Sequence, residues 1–176
     1  MKMKPLIRIA GLLSMVLFVS CSTKNQTADD GVYFQDFDNL HFWGHDEWNI
    51  TGAKAHSGDY SARTDSNAEY SQTFEMDFAY AQSKGYRALE VSAWLFVPNM
   101  NAKGGLVTSI EAASGGSAYE SADIKNFITA PNQWEKISGF LKFPEKAPEG
   151  SKIKVYLWSP NKSEIFLDDV TVKFLK

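Results

Sequence analysis

Two segments of the chain alternate apolar residues with aromatic and charged ones, a pattern that places the two kinds of side chain on opposite faces of a β-strand. The odd positions of 89–97 and 152–158 are all apolar and predict a buried face. The even positions include Glu90, Trp94, Phe96, Tyr156 and Trp158, and Glu111 lies on the polar side of a third segment, 106–112. Aromatic planes stack on the apolar C–H faces of sugar rings, while carboxylates bind sugar hydroxyl groups. We therefore expect these six residues to form a carbohydrate-binding set on one open sheet face. The alternative is that loops or the other sheet cover some of the rings.

Carboxylates beside such rings raise the question of glycoside hydrolysis, which requires two acids held at a defined separation. Glu75 and Asp77 resemble the start of the E-x-D-x-x-E motif of laminarinase-type enzymes, but Tyr80 occupies the place of the third acid. Glu90 and Glu111 have no motif around them, and the sequence contains no G-x-S-x-G elbow and no Cys/His pair. We expect binding without catalysis. A glycosidase or lyase would need two of these four carboxylates in one groove.

Turn-forming residues recur about every ten residues beyond position 32, for example at 98–101, 114–116 and 159–162. Short strand-like runs separate them, and helical periodicity is weak, with at most one turn at 78–83. This spacing is typical of antiparallel β-sandwiches. The sequence therefore predicts an all-β, two-sheet antiparallel β-sandwich over 32–176.

Five short motifs occur in an order that resembles a known family. They are Asp36-Phe37-Asp38 at the first strand, Trp48, the HSGDYS turn at 56–61, Trp134-Glu135-Lys136, and the closing IFLDDV strand at 165–170. Together they resemble the jelly-roll carbohydrate-binding modules of families 4, 9 and 22, over roughly 32–176. The resemblance implies a galactose-binding-like jelly roll that binds a glycan and does not cleave it.

The same resemblance implies a structural calcium ion where the first and last strands meet the HSG turn. Asp38 and Asp168 would supply carboxylates, and Asp36, Asp59 and Asp168 would supply backbone oxygens. A hard cation that takes six to eight oxygen ligands suits such a set. The alternative is that these acids are solvated strand-end and turn residues, with Asp168-Asp169 forming a β-bulge.

The first 20 residues have the parts of an export signal. The cations Lys2, Lys4 and Arg8 precede an apolar run at 9–19, which Ser20 and Cys21 follow. The segment resembles a bacterial lipoprotein signal with a lipobox at 17–21. That resemblance implies that diacylated Cys21 becomes the N-terminus and that the following serine directs the protein to the outer membrane. The alternatives are an ordinary secretory signal or a short membrane anchor, yet about 11 apolar residues are fewer than the roughly 20 that span a bilayer.

Cleavage before Cys21 leaves 156 residues, a length that fits a flexible tether at 21–31 and one folded domain at 32–176. Loss of the three leader cations leaves 15 Lys and Arg residues against 21 Asp and Glu residues, a net charge of −6. That charge excludes nucleic acid as the expected partner, because phosphate binding needs clustered cations. Cys21 is the only cysteine, so once it is acylated the domain has no disulfide.

These observations predict a lipid-anchored protein of the cell envelope, at the outer membrane, whose single β-jelly-roll domain binds a polysaccharide. The other interpretation is a structural or interaction module whose aromatic face docks an envelope protein. Solvent access distinguishes these two interpretations. A groove with stacked rings and flanking acids favours a sugar ligand, whereas a flat apolar patch favours a protein partner.

Overall fold

The computed structural model of the chain describes residues 30–39, Trp43 and residues 49–176. The predicted leader at 1–20, Cys21, Trp48 and all but the end of the predicted tether lie outside the described residues. Within the described ranges, no helix has the length and apolar character needed to cross a membrane. The lipid anchor remains a prediction.

The described residues form an almost entirely β structure. In chain order the elements are β1 Val32–Gln35, β2 Ile50–Thr51, β3 Ser61–Thr64, β4 Phe74–Asp77, α1 Phe78–Ser83, β5 Ala88–Phe96, β6 Gly105–Ala112, β7 Gly115–Asp123, a 3₁₀ turn Ile124–Asn126, β8 Trp134–Lys142, β9 Lys152–Trp158 and β10 Ile165–Leu175. The strands pair antiparallel throughout. The predicted all-β sandwich is confirmed, and the single helical turn lies at the predicted residues.

Two sheets make up the sandwich. The six-stranded sheet has the order β2-β3-β10-β5-β8, with β1 beside the later part of β10. The four-stranded sheet has the order β4-β9-β6-β7. Since β5 and β9 belong to different sheets, the two alternating segments of the sequence face each other across the core.

The core is formed by the positions that the alternation marks as apolar. In β5 and β9 the side chains of Leu89, Val91, Ala93, Leu95, Ile153, Val155 and Leu157 are at most 2% exposed. Trp43 also enters this core, where its ring centroid lies 5.2 Å from that of Phe74. Burial of these apolar surfaces is the main stabilising contribution to such a sandwich. Residues at the alternate positions must therefore point away from the core.

A β-bulge in β10 exchanges its inward and outward positions. Ile165 and Leu167 belong to the core before the bulge, whereas Val170 and Val172 belong to it afterwards. The register against β5 shifts between Asp168 and Thr171. Asp169 has a φ of 48°, the left-handed conformation found in many bulges. The bulge brings Asp168 and Asp169 together at the loop between β2 and β3.

Candidate functional site

The six predicted carbohydrate-binding residues do not share one face, and that expectation is wrong. Glu90, Trp94 and Phe96 lie on the outer face of the six-stranded sheet, whereas Tyr156, Trp158 and Glu111 lie on the outer face of the four-stranded sheet. The core separates the two groups. Alternation distinguishes inward from outward positions, but a sandwich has two outer faces.

The loop between β2 and β3 covers the aromatic pair on β5. The imidazole of His56 stacks on Trp94 with a centroid distance of 4.1 Å, and Lys54 Nζ lies 4.6 Å from the Phe96 centroid. Phe96 also packs edge-on against Trp134 and is only 7% exposed. Phe96 therefore serves as packing, and Trp94 presents one face to its own loop rather than to solvent.

Asp168 holds this loop on the sheet. It is completely buried, and its Oδ2 accepts hydrogen bonds from the backbone N–H groups of His56 at 2.7 Å and Ser57 at 3.2 Å. Asp169 adds side-chain contacts at 2.5 Å to His56 Nδ1 and 2.6 Å to Ser57 Oγ. Burial raises the pKa of Asp168 to about 6 even though three backbone N–H groups bind it.

Asp38 meets the same loop from another direction. Its Oδ1 accepts hydrogen bonds from the backbone N–H groups of Asp59 at 2.9 Å and Tyr60 at 3.1 Å. The adjacent Gly58 has a φ of +59°, and a Cβ there would come within 1.5 Å of Asp38 Oδ2. Glycine is thus required both by the left-handed backbone and by the approach of the carboxylate. Asp36 accepts only a local bond, from the backbone N–H of Asp38 at 3.2 Å.

The predicted calcium ligands Asp36, Asp38, Asp59 and Asp168 thus surround the HSG loop as the resemblance implies, but they are arranged for amide binding. Three of the four carboxylate oxygens of Asp38 and Asp168 accept backbone N–H groups. Among the described residues, no three or more acidic, histidine or cysteine side chains are grouped so that they could hold a metal ion. Calcium binding by these residues remains a prediction.

The outer face of the four-stranded sheet carries four aromatic side chains, Tyr70, Tyr119, Tyr156 and Trp158, and we call it the aromatic face. Tyr119 on β7 and Lys154 on β9 flank Ser109 on β6, so all three point outward. Tyr70 forms a β-bridge with Trp158 and packs edge-on against Tyr156 at a centroid distance of 5.7 Å. Tyr70 and Tyr119 are 44% and 54% exposed, so their rings are open to a ligand.

Charged residues line one side of the aromatic face. Lys154 Nζ lies 3.0 Å from Glu111 and 3.7 Å from Glu75, and Lys152 Nζ lies 3.1 Å from Glu75. The hydrogen bond to Glu75 raises the pKa of Lys152. Each lysine thus has a carboxylate partner, and the four side chains carry no net charge together.

The tyrosine hydroxyl at the centre of this face stays protonated over the physiological range. Burial, together with the nearby Glu111 carboxylate, raises the pKa of Tyr156 to about 12. The indole Nε1 of Trp158 is buried and has no hydrogen-bond partner among the described residues. The face therefore carries a neutral tyrosine hydroxyl beside its paired charges, while the polar atom of the Trp158 indole is covered.

The four carboxylates considered for hydrolysis are not gathered in one groove. Glu90 lies on the opposite side of the sandwich from Glu75, Asp77 and Glu111. Lys154 lies between Glu75 and Glu111 and contacts both. Glu75 and Glu111 are therefore ion-pair partners of the same lysine.

Sequence reasoning missed Tyr70 and Tyr119 as members of the aromatic face. Tyr70 lies outside any strand and meets β9 through its bridge to Trp158 and its ring contact with Tyr156. Tyr119 belongs to β7, whose sequence GGSAYESAD shows no apolar alternation because the strand lies at the sheet edge. Only the cross-strand register with Ser109 places Tyr119 on this face.

Comparisons with known proteins find structural similarity without sequence similarity. No family model and no curated protein sequence matches the chain. Among solved structures, it is similar to the C-terminal family 22 carbohydrate-binding module of Clostridium thermocellum Xyn10B, with 14% identity over 83% of this chain and 96% of that chain and a TM-score of 0.57. It is also similar to the CBM22-2 xylan-binding domain of Paenibacillus barcinonensis Xyn10C, with 15% identity over 81% and 99% of the two chains and a TM-score of 0.54.

A third similar structure is a xylan-binding domain of family 22, with 13% identity over 83% of this chain and 96% of that chain and a TM-score of 0.56. At these identities the likeness concerns the fold, and a fold by itself does not specify a function. The chain has the β-sandwich architecture of these carbohydrate-binding modules.

Proposed function

We propose that this protein is a noncatalytic carbohydrate-binding protein whose aromatic face binds a polysaccharide chain. The observation that carries the proposal is the placement of Tyr70, Tyr119, Tyr156 and Trp158 on one outer sheet face. Two of these rings are about half exposed, and large exposed aromatics on a sheet face mark binding surfaces.

The chemistry of the face suits a sugar ligand. The exposed rings of Tyr70 and Tyr119 offer planes for the C–H faces of pyranose rings, and the nearby carboxylates of Glu75 and Glu111 accept hydrogen bonds from hydroxyl groups. Because Lys152 and Lys154 are paired with these carboxylates, the face favours a neutral glycan. The similar solved structures described as xylan-binding make xylan the first probe.

The test compares xylan binding by the full-length protein and its variants, using affinity electrophoresis and calorimetry, after a glycan array has confirmed that xylan is bound. Tyr70→Ala and Tyr119→Ala each remove a stacking plane worth about 1 kcal/mol, so each should weaken binding about fivefold. Tyr80→Ala is the matched control, since Tyr80 lies on α1, outside the sheet faces, and is similarly exposed.

Unchanged affinity in the Tyr70→Ala, Tyr119→Ala double variant would refute the assignment of the aromatic face. Release of reducing sugar ends during incubation would refute the noncatalytic role. If the array shows no glycan and the double variant loses an envelope protein partner, the interaction module is the correct function.

We further propose that the domain acts in the cell envelope and is attached to the membrane through the acylated Cys21. Membrane fractionation of a Cys21→Ala variant tests this attachment. The leader chemistry supports this attachment, because a diacylated or triacylated cysteine gives stable membrane association where one chain is marginal. The serine after Cys21 supports an outer-membrane location. The tether at 21–31 would then separate the domain from the lipid surface.

A further inference from the structure

The outer face of the six-stranded sheet contains a groove of about 450 Å³, remote from the aromatic face. Its floor is a row of three hydroxyl side chains on adjacent strands, Thr171 on β10, Ser92 on β5 and Ser138 on β8. None of these hydroxyls makes a hydrogen bond to another described residue. Pockets that bind small molecules and cofactors commonly measure about 300–1,000 Å³, so the groove has the volume of a ligand site.

Exposed phenylalanines stand at both ends of this hydroxyl row. Phe34 on β1 pairs with Thr171 and is 46% exposed, and Phe140 on β8 lies next to Ser138 on the same face and is 52% exposed. Three strand spacings, roughly 14 Å, separate β1 from β8 across the sheet. Phe140 lines the groove, and Phe34 lies next to the lining residue Thr171, so a ligand along the hydroxyl row would have an aromatic ring near each end.

The charged lining of the groove is balanced. Glu90 and Lys173 form an ion pair at 3.6 Å beside the hydroxyl row. The stacked rings of Trp94 and His56 lie on the side of the hydroxyl row opposite this ion pair. Trp94 is two residues from Ser92 on β5. The groove therefore has no net charge with which to attract an ionic ligand.

We propose that this groove is a second saccharide-binding site, which takes a short stretch of a neutral glycan chain. A sugar chain presents both apolar C–H faces and hydroxyl groups, and the groove offers it the Phe140 ring, the nearby Phe34 ring and three unpaired hydroxyls between them. A protein interface is the less favoured occupant, because interface cores are depleted in Ser, Glu and Lys, which line this groove.

The two sites lie on opposite outer faces, with the core between them. Each site can therefore bind a glycan chain while the other site is occupied. Such a domain would join two chains, or two stretches of one chain, and would gain avidity on a polysaccharide network. The second site does not depend on the aromatic face, and either can exist without the other.

The test measures the stoichiometry and affinity with which the full-length protein binds xylohexaose, cellohexaose and laminarihexaose, by calorimetry. Ser92→Arg fills the groove floor, and Phe140→Ala removes an exposed ring without disturbing the core. The matched control is Tyr80→Ala. We expect at least one of these hexaoses to saturate both sites, or each site to be saturated by a different hexaose.

We expect Ser92→Arg to abolish one site and Phe140→Ala to weaken the same site about fivefold, while the Tyr70→Ala, Tyr119→Ala variant affects the other. Unchanged stoichiometry and affinity for all three hexaoses in both groove variants would overturn the second site and leave the aromatic face intact. Loss of self-association in Phe140→Ala, measured by sedimentation with glycan binding unchanged, would also overturn it and identify a protein interface. Failure of the wild-type protein to bind any of the hexaoses would overturn both sites.

Discussion

Replacement of Asp168 by Asn tests the electrostatics of the HSG loop most directly. The Asp168 carboxyl group is fully buried, and its pKa is raised from 3.8 to about 6 by that burial. The amide of Asn has a similar shape and retains an oxygen that can accept the backbone N–H groups of His56 and Ser57. The substitution therefore removes the ionisation while leaving the main loop contacts available.

The magnitude follows from the difference between the folded and unfolded pKa values. A shift of about 2 units corresponds to about 3 kcal/mol, since one unit is about 1.4 kcal/mol. Because the folded protein holds this proton more tightly than the unfolded chain, ionisation lowers the free energy of unfolding. The stabilising contribution is complete below pH 4 and is lost as the pH rises through about 6.

The assay is urea unfolding of the wild-type and Asp168→Asn proteins at pH 4, 5, 6 and 7, with a chelator present. From pH 4 to pH 7 the free energy of unfolding should shift by about 2 kcal/mol in favour of the Asn variant, because the unfolded chain is already partly ionised at pH 4. Asp77→Asn is the control, because Asp77 is exposed at the end of β4 and its replacement changes the charge equally. A wild-type advantage that stays constant or grows toward pH 7 would refute the reasoning.

Calcium, if held by Asp38 and Asp168, should stabilise the native state in proportion to its binding, so the Tm of calcium-loaded protein should fall on addition of excess chelator; an unchanged Tm contradicts the prediction. Gly58→Ala should lower the free energy of unfolding by about 2 kcal/mol in urea, because the new Cβ would collide with the Asp38 carboxylate at a strained backbone position. Gly85→Ala is its control, having a φ of +83° but no atom within 4 Å of the added Cβ, and an equal effect in both would exclude the collision. Cys21→Ala should move the protein from the membrane fraction to the soluble fraction, and complete retention on membranes would show that the cysteine is not the anchor.

Much of the architecture was predictable because it depends on local patterns. The odd apolar positions of β5 and β9 identify buried faces, and both strands lie within a residue of the predicted segments. The HSGDYS turn and the closing IFLDDV segment were also recognisable, and they meet through Asp168 as the family resemblance implied. Each of these features is encoded by the period of a strand or by a turn residue with a special backbone conformation.

The site was less predictable because it depends on strand pairing over long sequence separations. Trp94 and Trp158 have the same local pattern, yet β5 and β9 join different sheets, and their outward residues lie on opposite sides of the molecule. Tyr119 joins the aromatic face through its register with Ser109, and Phe34 joins the groove through its register with Thr171.

The sequence by itself determined which side of each strong strand is buried, where the chain turns, and that its one cysteine follows an apolar segment with three preceding cations. Only the tertiary structure decided which outward residues become neighbours, which rings a loop covers, and how the two candidate sites are separated. The physical reason is that alternation reports the inside and outside of a single strand, whereas a binding surface is assembled from strands whose order and register are decided by packing of the whole core.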